Sequence, residues 1–298
     1  MGEYYRTFND EAAEMFSQKV YKLSLDGGMT CPNRDGTVGT GGCIFCSAGG
    51  SGDFSEKRCE SIDLQIEKAK NQVSKKFKGD KYIAYFQSYT NTYADINYLE
   101  SIFYPAINNP SIVALSIGTR PDCLGKDVLA LLGRLNKIKP VYVELGLQTS
   151  NEETARLINR GYTLDVFDNA VANLKATGVK TVVHIILGLP HEAKEDMARS
   201  VKYVVNSGAD GIKLQLLHVL KGTELEKMYL NGEFETFGFE DYVNTVCDMI
   251  SLVPKSVTIH RITGDAPKNL LVSPLWSADK KRVLNAINRE LKRRKENI

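Results

Sequence analysis

Short runs of β-branched and aromatic residues alternate with helical periodicity along most of the chain. Strand-like runs begin at Lys19 (KVYKLSL), Lys81 (KYIAYF), Ile112 (IVALSI), Pro140 (PVYVELGL), Val179 (VKTVVHIIL), Gly211 (GIKLQLL) and Ser256 (SVTIHRI). Amphipathic patterns stand between them, starting at Ser61, Ile96, Lys126, Asn151, Leu164, Glu192 and Glu240. Several open on Ser, Asn or Asp with an acid soon after, and Gly178 and Gly208 stand where helix C-terminal glycines belong. Crossovers of the β-α-β kind are nearly always right-handed, and strands that are apolar almost throughout are covered on both faces. The alternation therefore predicts a parallel sheet, closing toward a barrel or opening flat.

In either architecture ligands gather at the carboxyl ends of the strands. That edge is unusually polar here: SLDGGMTCP follows the first strand, FQSYTNT the second, GTRPD the third, GLQTS the fourth, GLPHE the fifth and LHVLKGT the sixth. The 298 residues, 43% hydrophobic and 25% charged, can bury one large core or two small ones. With no clear interior linker, the simplest division is a single domain, with a core over about 19–262 and a C-terminal helical extension over about 263–298. No run reaches the roughly eighteen apolar residues of a membrane span, and the first residues, MGEYYRTFND, hold no apolar signal core. A cytoplasmic protein without a membrane partner is expected.

Three of the six cysteines fall within TCPNRDGTVGTGGCIFCSAGG, Thr30 to Gly50. In a reducing compartment such clustering reads as metal ligation or reactive thiols rather than disulfides. Cys43 and Cys46 form a C-x-x-C knuckle, and Cys31 lies twelve positions before Cys43 across a loop of Gly, Asn, Asp and Thr. A structural zinc site wants four protein ligands, and His184, His191, His218 and His260 all lie far along the chain. A [4Fe–4S] cluster held by three cysteines would instead keep one iron open to a ligand. The spacing favours the cluster and leaves zinc and inert packing open. Cys59, Cys123 and Cys247 stand apart and read as packing residues.

The C-x-aromatic-C ending, with Phe45 as the aromatic, follows the first strand of a repeating β-α chain. This resembles the cluster loop of the radical S-adenosylmethionine (SAM) superfamily, although the interval from Cys31 to Cys43 exceeds the superfamily's commonest spacing. It is closer to the extended loop of the Elongator catalytic subunit and its bacterial relatives. Over roughly Lys19 to Arg261, the motifs SIGTRPD, VELGLQT, INRGYT, ILGLP and LKGTEL follow the order found in Elongator-like radical SAM proteins. CPNRDG and QSYTNTY are similar to a bacterial branch of uncharacterised or tRNA-associated members. The resemblance implies a partial (β/α)6 barrel with a C-terminal helical extension.

It further implies an enzyme that uses a [4Fe–4S] cluster on Cys31, Cys43 and Cys46 to cleave S-adenosyl-L-methionine to a 5′-deoxyadenosyl radical. By the same resemblance, Gln87, Ser88 and Thr90 occupy the place of the family's SAM amino-group motif. Gln148 and Arg160 match its ribose and carboxylate contacts, and Phe45 and Glu144 lie within the matching motifs. Many relatives carry a glutamate where this chain has Gly118, so Thr119, Arg120 and Asp122 are left as the polar groups of that loop. Lys221, in LKGT, aligns with a basic residue and is the candidate to face an anionic substrate.

Plainer roles stand beside these. Arg120 and Asp122 could pair, Arg160 could cap the preceding helix, and Glu144 could make a structural hydrogen bond. His184 and His218 read as satisfied polar residues rather than catalysts. The segment Asp279 to Ile298 holds eight Lys or Arg against three acids around an apolar stripe of Val283, Leu284, Ile287 and Leu291. This is either a docked amphipathic helix or a phosphate-contacting surface for RNA. The resemblance implies tRNA as substrate, modified at the C5 substituent of wobble uridine, and a low-potential electron donor such as flavodoxin or ferredoxin. A small molecule or tetrapyrrole as substrate, and a binding protein without turnover, are the alternatives.

Overall fold

The computed structural model describes every residue except 1–3, 51, 54, 57, 59, 60, 297 and 298. The packing role expected of Cys59 therefore lies outside the described residues. The chain opens with α1 (Phe8–Phe16), β1 (Tyr21–Leu25), α2 (Ile62–Val73), β2 (Tyr82–Phe86), α3 (Ile96–Asn108), β3 (Ile112–Thr119) and α4 (Lys126–Asn136). It continues through β4 (Val141–Gln148), α5 (Glu152–Leu157), α6 (Leu164–Thr177), β5 (Lys180–Leu187), α7 (Lys194–Asn206) and β6 (Gly211–Leu216). The last elements are β7 (Val219–Leu220), α8 (Glu224–Leu230), α9 (Phe239–Ser251), β8 (Thr258–Arg261), β9 (Leu271–Ser273) and α10 (Lys280–Glu296).

Each strand-like run of the sequence forms a strand. Seven of them make a single sheet in the order β1-β2-β3-β4-β5-β6-β8, every neighbouring pair parallel. The curled half-barrel matches the expected partial barrel, with β8 as a further parallel strand beside β6. Local chemistry sets the helix starts: the Ser61 hydroxyl accepts from the Leu64 amide, and the Asn151 side chain accepts from Glu153 and Thr154. Helix α1 was not anticipated, yet it carries a capping box between Thr7 and Asp10.

The two-residue period of the strands divides the sheet into two faces. On β4, Val141, Val143, Leu145 and Leu147 are fully buried in the main core, which the surrounding helices cover. Burying such a side chain contributes about 1.5–3 kcal/mol. The alternate residues, Tyr142, Glu144, Gly146 and Gln148, take the other face. At one level of that inner face, Ile83, Ala114, Tyr142 and Val182 pack against Ala12, Phe8 and Phe16 of α1. The helix thereby closes one part of the half-barrel's interior with apolar contacts.

Helix α10 packs along α9 through Val283, Ile287 and Leu291, all buried, and Arg294 pairs with Asp248 at 2.6 Å. The apolar stripe read from the sequence is thus a docking face, while Lys281, Arg282, Arg289 and Lys292 stay exposed. No helix among the described residues is long and apolar enough to cross a membrane.

Candidate functional site

The cysteine loop leaves the carboxyl end of β1 and folds back through its own turns. The Cys31 carbonyl accepts from the Arg34 amide at 2.8 Å, and the Cys43 carbonyl accepts from the Cys46 amide at 3.0 Å, closing the knuckle. The Ile44 amide donates to Ile158 and the Ile44 carbonyl accepts from Leu225, so the loop is tied to two neighbouring segments. Phe45 packs against a small apolar cluster that includes Ile158, Leu217 and Leu225. Cys31, Cys43 and Cys46 all line one cavity. Among the described residues, no group of three Cys, His, Asp or Glu could hold a single metal ion. Three soft sulfur donors on a glycine-rich loop fit an iron–sulfur cluster. A hydrogen bond from Cys43, reinforced by the charge of Arg34, holds the Cys46 thiol below its ordinary value.

The same cavity gathers Phe45, Gln87, Thr90, Thr119, Arg120, Glu144, Gln148 and Arg160 from distant parts of the sequence. Gln148 reaches it through a local distortion. Its φ is +68°, and the β4–β5 register shifts between Gly146 and Gln148. At Gly118, a Cβ would stand 3.3 Å from the Phe86 carbonyl oxygen, so the bare backbone suits the close strand approach. Of the plainer roles, the Arg120–Asp122 pair is present, whereas the Arg160 side chain bonds to the segments on either side of α5 and to Glu152 in its first turn rather than capping its end. Arg120 donates twice to Asp122, at 2.9 and 2.7 Å, and to the Arg160 carbonyl at 2.9 Å. Arg160, 1% exposed, donates to the carbonyls of Thr149 and Tyr162 at 2.8 and 2.9 Å and pairs with Glu152 at 3.1 Å. It fastens the loop after β4 at the wall of the cavity.

Three anticipated residues lie outside the cavity lining. Ser88 is buried facing Gly52, whose added Cβ would strike its hydroxyl. Asp122 acts on Arg120, and Lys221 is exposed on the turn after β7. Sequence reading missed Tyr85, Tyr162, Lys213, Gln215 and Arg261, which also line the cavity, and gave His184 no part in it. The available signal was the strand period: Lys22, Tyr85, Glu144, His184 and Lys213 all occupy positions that alternate with the covered apolar residues.

Glu144 is the hub of that inner layer. Its fully buried carboxylate meets Lys22 Nζ at 2.7 Å, His184 Nε2 at 2.7 Å, Ser116 Oγ at 2.6 Å and the Lys213 ammonium. Burial pushes its carboxyl upward, but the charges of Lys213 and Lys22 and the His184 hydrogen bond outweigh this, so it stays ionised. Lys22 also lies over the rings of Phe8 and Tyr85, at 4.8 and 5.2 Å. Gln215 donates to His184 Nδ1 at 3.1 Å, which leaves the imidazole proton on Nε2, facing Glu144.

Burial holds His184, His218 and His260 at about 4, down from 6.5. Between these values the unfolded chain binds protons that the folded chain refuses, so stability falls on acidification. Each histidine contributes up to about 1.4 kcal/mol per pH unit across that window. Urea melts of the protein between pH 7.5 and 5 are expected to show a steadily lower midpoint. An unchanged midpoint would mean that the imidazoles are not buried in neutral form.

The Radical SAM superfamily model matches residues 35–204, and the Radical_SAM C-terminal domain model matches residues 209–293. Protein YtqA of Bacillus subtilis (strain 168) is 46% identical over 290 residues, covering 97% of this chain and 90% of that one. A tRNA uridine(34) acetyltransferase of Methanocaldococcus infernus is 32% identical over 164 residues, 54% of this chain and 30% of its own length. The solved structure of archaeal Methanocaldococcus infernus Elp3, with an N-terminal deletion, superposes with a TM-score of 0.68 at 21% identity, covering 91% of this chain and 63% of that one. That likeness concerns the fold. Because the superfamily model alone spans more than half of the chain, this protein belongs to the radical SAM superfamily, whose members bind a [4Fe–4S] cluster and SAM.

Proposed function

We propose that this protein modifies tRNA, at the C5 substituent of the wobble uridine. The observation that carries the proposal is the similarity to the tRNA uridine(34) acetyltransferase, which extends over 54% of this chain. Two structural features support it. The cavity continues past the cysteine loop to a polar inner wall of Tyr85, His184, Lys213, Gln215 and Arg261, suited to a polar substituent. Outside, Lys281, Arg282, Arg289 and Arg293 line a groove between α9 and α10, where phosphates can be met.

In this reading Cys31, Cys43 and Cys46 hold the cluster. Gln87, Thr90, Thr119 and Gln148 present amides and hydroxyls to SAM, and Arg120 and Arg160 keep the loops that carry them in place. Once reduced, the bound cluster and SAM supply hydrogen abstraction from unactivated carbon, a step that no side chain performs. The protein's share is orientation and exclusion of water. The buried layer around Glu144 gives the cavity a fixed polar floor, and a base extruded from the anticodon loop would enter above it.

The test is the nucleoside profile of bulk tRNA from strains with and without the gene. One modified uridine should disappear and its precursor accumulate, with recovery on complementation by the wild type but not by Cys31→Ala. Unchanged tRNA nucleosides, together with 5′-deoxyadenosine formation by the purified protein, would move the substrate to a small molecule or tetrapyrrole.

A further inference from the structure

The motif CPNRDG contributes more to the site than its cysteine. Asn33 is 1% exposed, and its side-chain amide donates to the Cys43 sulfur at 3.7 Å and to the Asn159 carbonyl at 2.6 Å. The amide's orientation is determined by its surroundings. Turned over, the carboxamide oxygen would face the Asn159 carbonyl oxygen and the sulfur, two acceptors. As it stands, Oδ1 is buried without a hydrogen-bond partner. It lies in a slot where a Cβ on Gly39 or Gly161 would approach it to 2.6 and 2.9 Å. Leaving that oxygen unpartnered costs free energy, which the two contacts of the nitrogen must offset.

A closed set of hydrogen bonds holds the arrangement. The Asn159 side chain donates to the Gly42 carbonyl at 2.8 Å, and the Gly42 amide donates to the Asn33 carbonyl at 2.8 Å. Gly42 precedes Cys43 in the chain, so the ring fixes both the sulfur's backbone and its donor. On the other arm of the loop, Arg34 donates to the carbonyls of Cys46 and Ser47 at 3.2 and 2.6 Å, with its guanidinium over the Tyr89 ring at 5.6 Å. A bond to the Asn159 carbonyl alone would suffice to close the loop. The second contact, to sulfur, has a different consequence, because hydrogen bonds to thiolate ligands withdraw electron density and raise a cluster's reduction potential.

We propose that Asn33 is a positioning residue of the iron–sulfur cluster, whose amide donates to the Cys43 thiolate and sets the cluster's potential higher than the loop alone would. The inference rests on the assignment of Cys43 as a cluster ligand. Its test is a redox titration, independent of substrate and of SAM turnover. Wild type, Asn33→Ala and Asn33→Asp are reconstituted anaerobically, assayed for iron, and titrated with a low-potential reductant while the reduced cluster is followed by electron paramagnetic resonance.

With iron retained, both variants should be harder to reduce. The aspartate, an acceptor beside a thiolate, should lower the reduced-to-oxidised ratio at the wild-type midpoint by about tenfold, equal to 59 mV for one electron. The alanine variant should fall between. Midpoints equal to that of the wild type would overturn the proposal. If Asn33→Ala takes up no iron, Asn33→Gln decides, since it restores an amide donor. Iron with a wild-type midpoint supports the assignment, and absence of iron or a lowered midpoint overturns it. Wild-type protein that binds zinc and no iron would instead remove the cluster assignment itself.

Discussion

Alanine at Cys31, Cys43 or Cys46 is expected to remove the iron and the cleavage of SAM together, while leaving the folded protein intact. The expectation of an intact fold follows from where the three residues lie. All are half-buried on a loop at the cavity, whereas the main core runs through the seven-stranded sheet, β1–β6 and β8, and the helices around it. If the three thiolates hold the cluster, removing one leaves two ligands, and no other described cysteine lies near them in sequence. Iron content should fall to roughly a tenth of wild type or less, with loss of the four-iron absorption and of 5′-deoxyadenosine formation. Cys247→Ala is the contrasting variant. Cys247 is fully buried in α9, where its thiol donates to the Ile287 carbonyl of α10. Its loss should lower the thermal midpoint and spare the iron. Iron and SAM cleavage surviving in Cys31→Ala would show that the loop does not hold the cluster.

These two cysteine classes were separable in the sequence because neighbours distinguish them. Cys31, Cys43 and Cys46 stand among glycines and turn residues, while Cys247 stands in an apolar helical repeat. The strands were legible for a similar reason, since a period of two and β-branched composition are local properties. The polar loops after each strand followed from the direction of the parallel sheet. Lys221 shows where the motif stops informing. LKGT forms a turn in which Thr223 caps α8 and the Gly222 amide donates to Glu226, leaving the lysine side chain in solvent.

The inner floor was illegible for a different reason. Glu144 meets Lys22 and Lys213 across sequence separations of 122 and 69 residues. Nothing local to either lysine states which strands become neighbours or with what stagger. Asn33 is similar. Its sequence context suggests a loop residue, and only the folded approach of Cys43 and Asn159 gives its amide two acceptors.

Glu144→Gln is expected to be the most damaging isosteric change in the inner layer. The variant keeps the shape of the side chain but removes the carboxylate that contacts Lys22, Lys213 and His184 at once. Uncompensated buried charge costs about 3–5 kcal/mol when one partner of a buried pair is lost. For a chain of this size the thermal midpoint should fall on the order of 10 °C. The loss depends on pH because Lys213 can shed its proton. Burial, together with the charges of Lys22 and Arg261, already brings Lys213 down to about 7 from 10.5 despite Glu144. Without the carboxylate it should fall further, so raising the pH from 6 to 8 relieves the variant by leaving the amine neutral. Lys213→Met should cost less, since Glu144 retains Lys22, His184 and Ser116. The double variant should then be more stable than the sum of the two losses, because the methionine removes the ammonium that the glutamine stranded. Thermal melts of the four proteins at pH 6 and 8 decide the matter: additive losses, or a Glu144→Gln midpoint equal to wild type, would show that the three basic groups do not depend on this carboxylate.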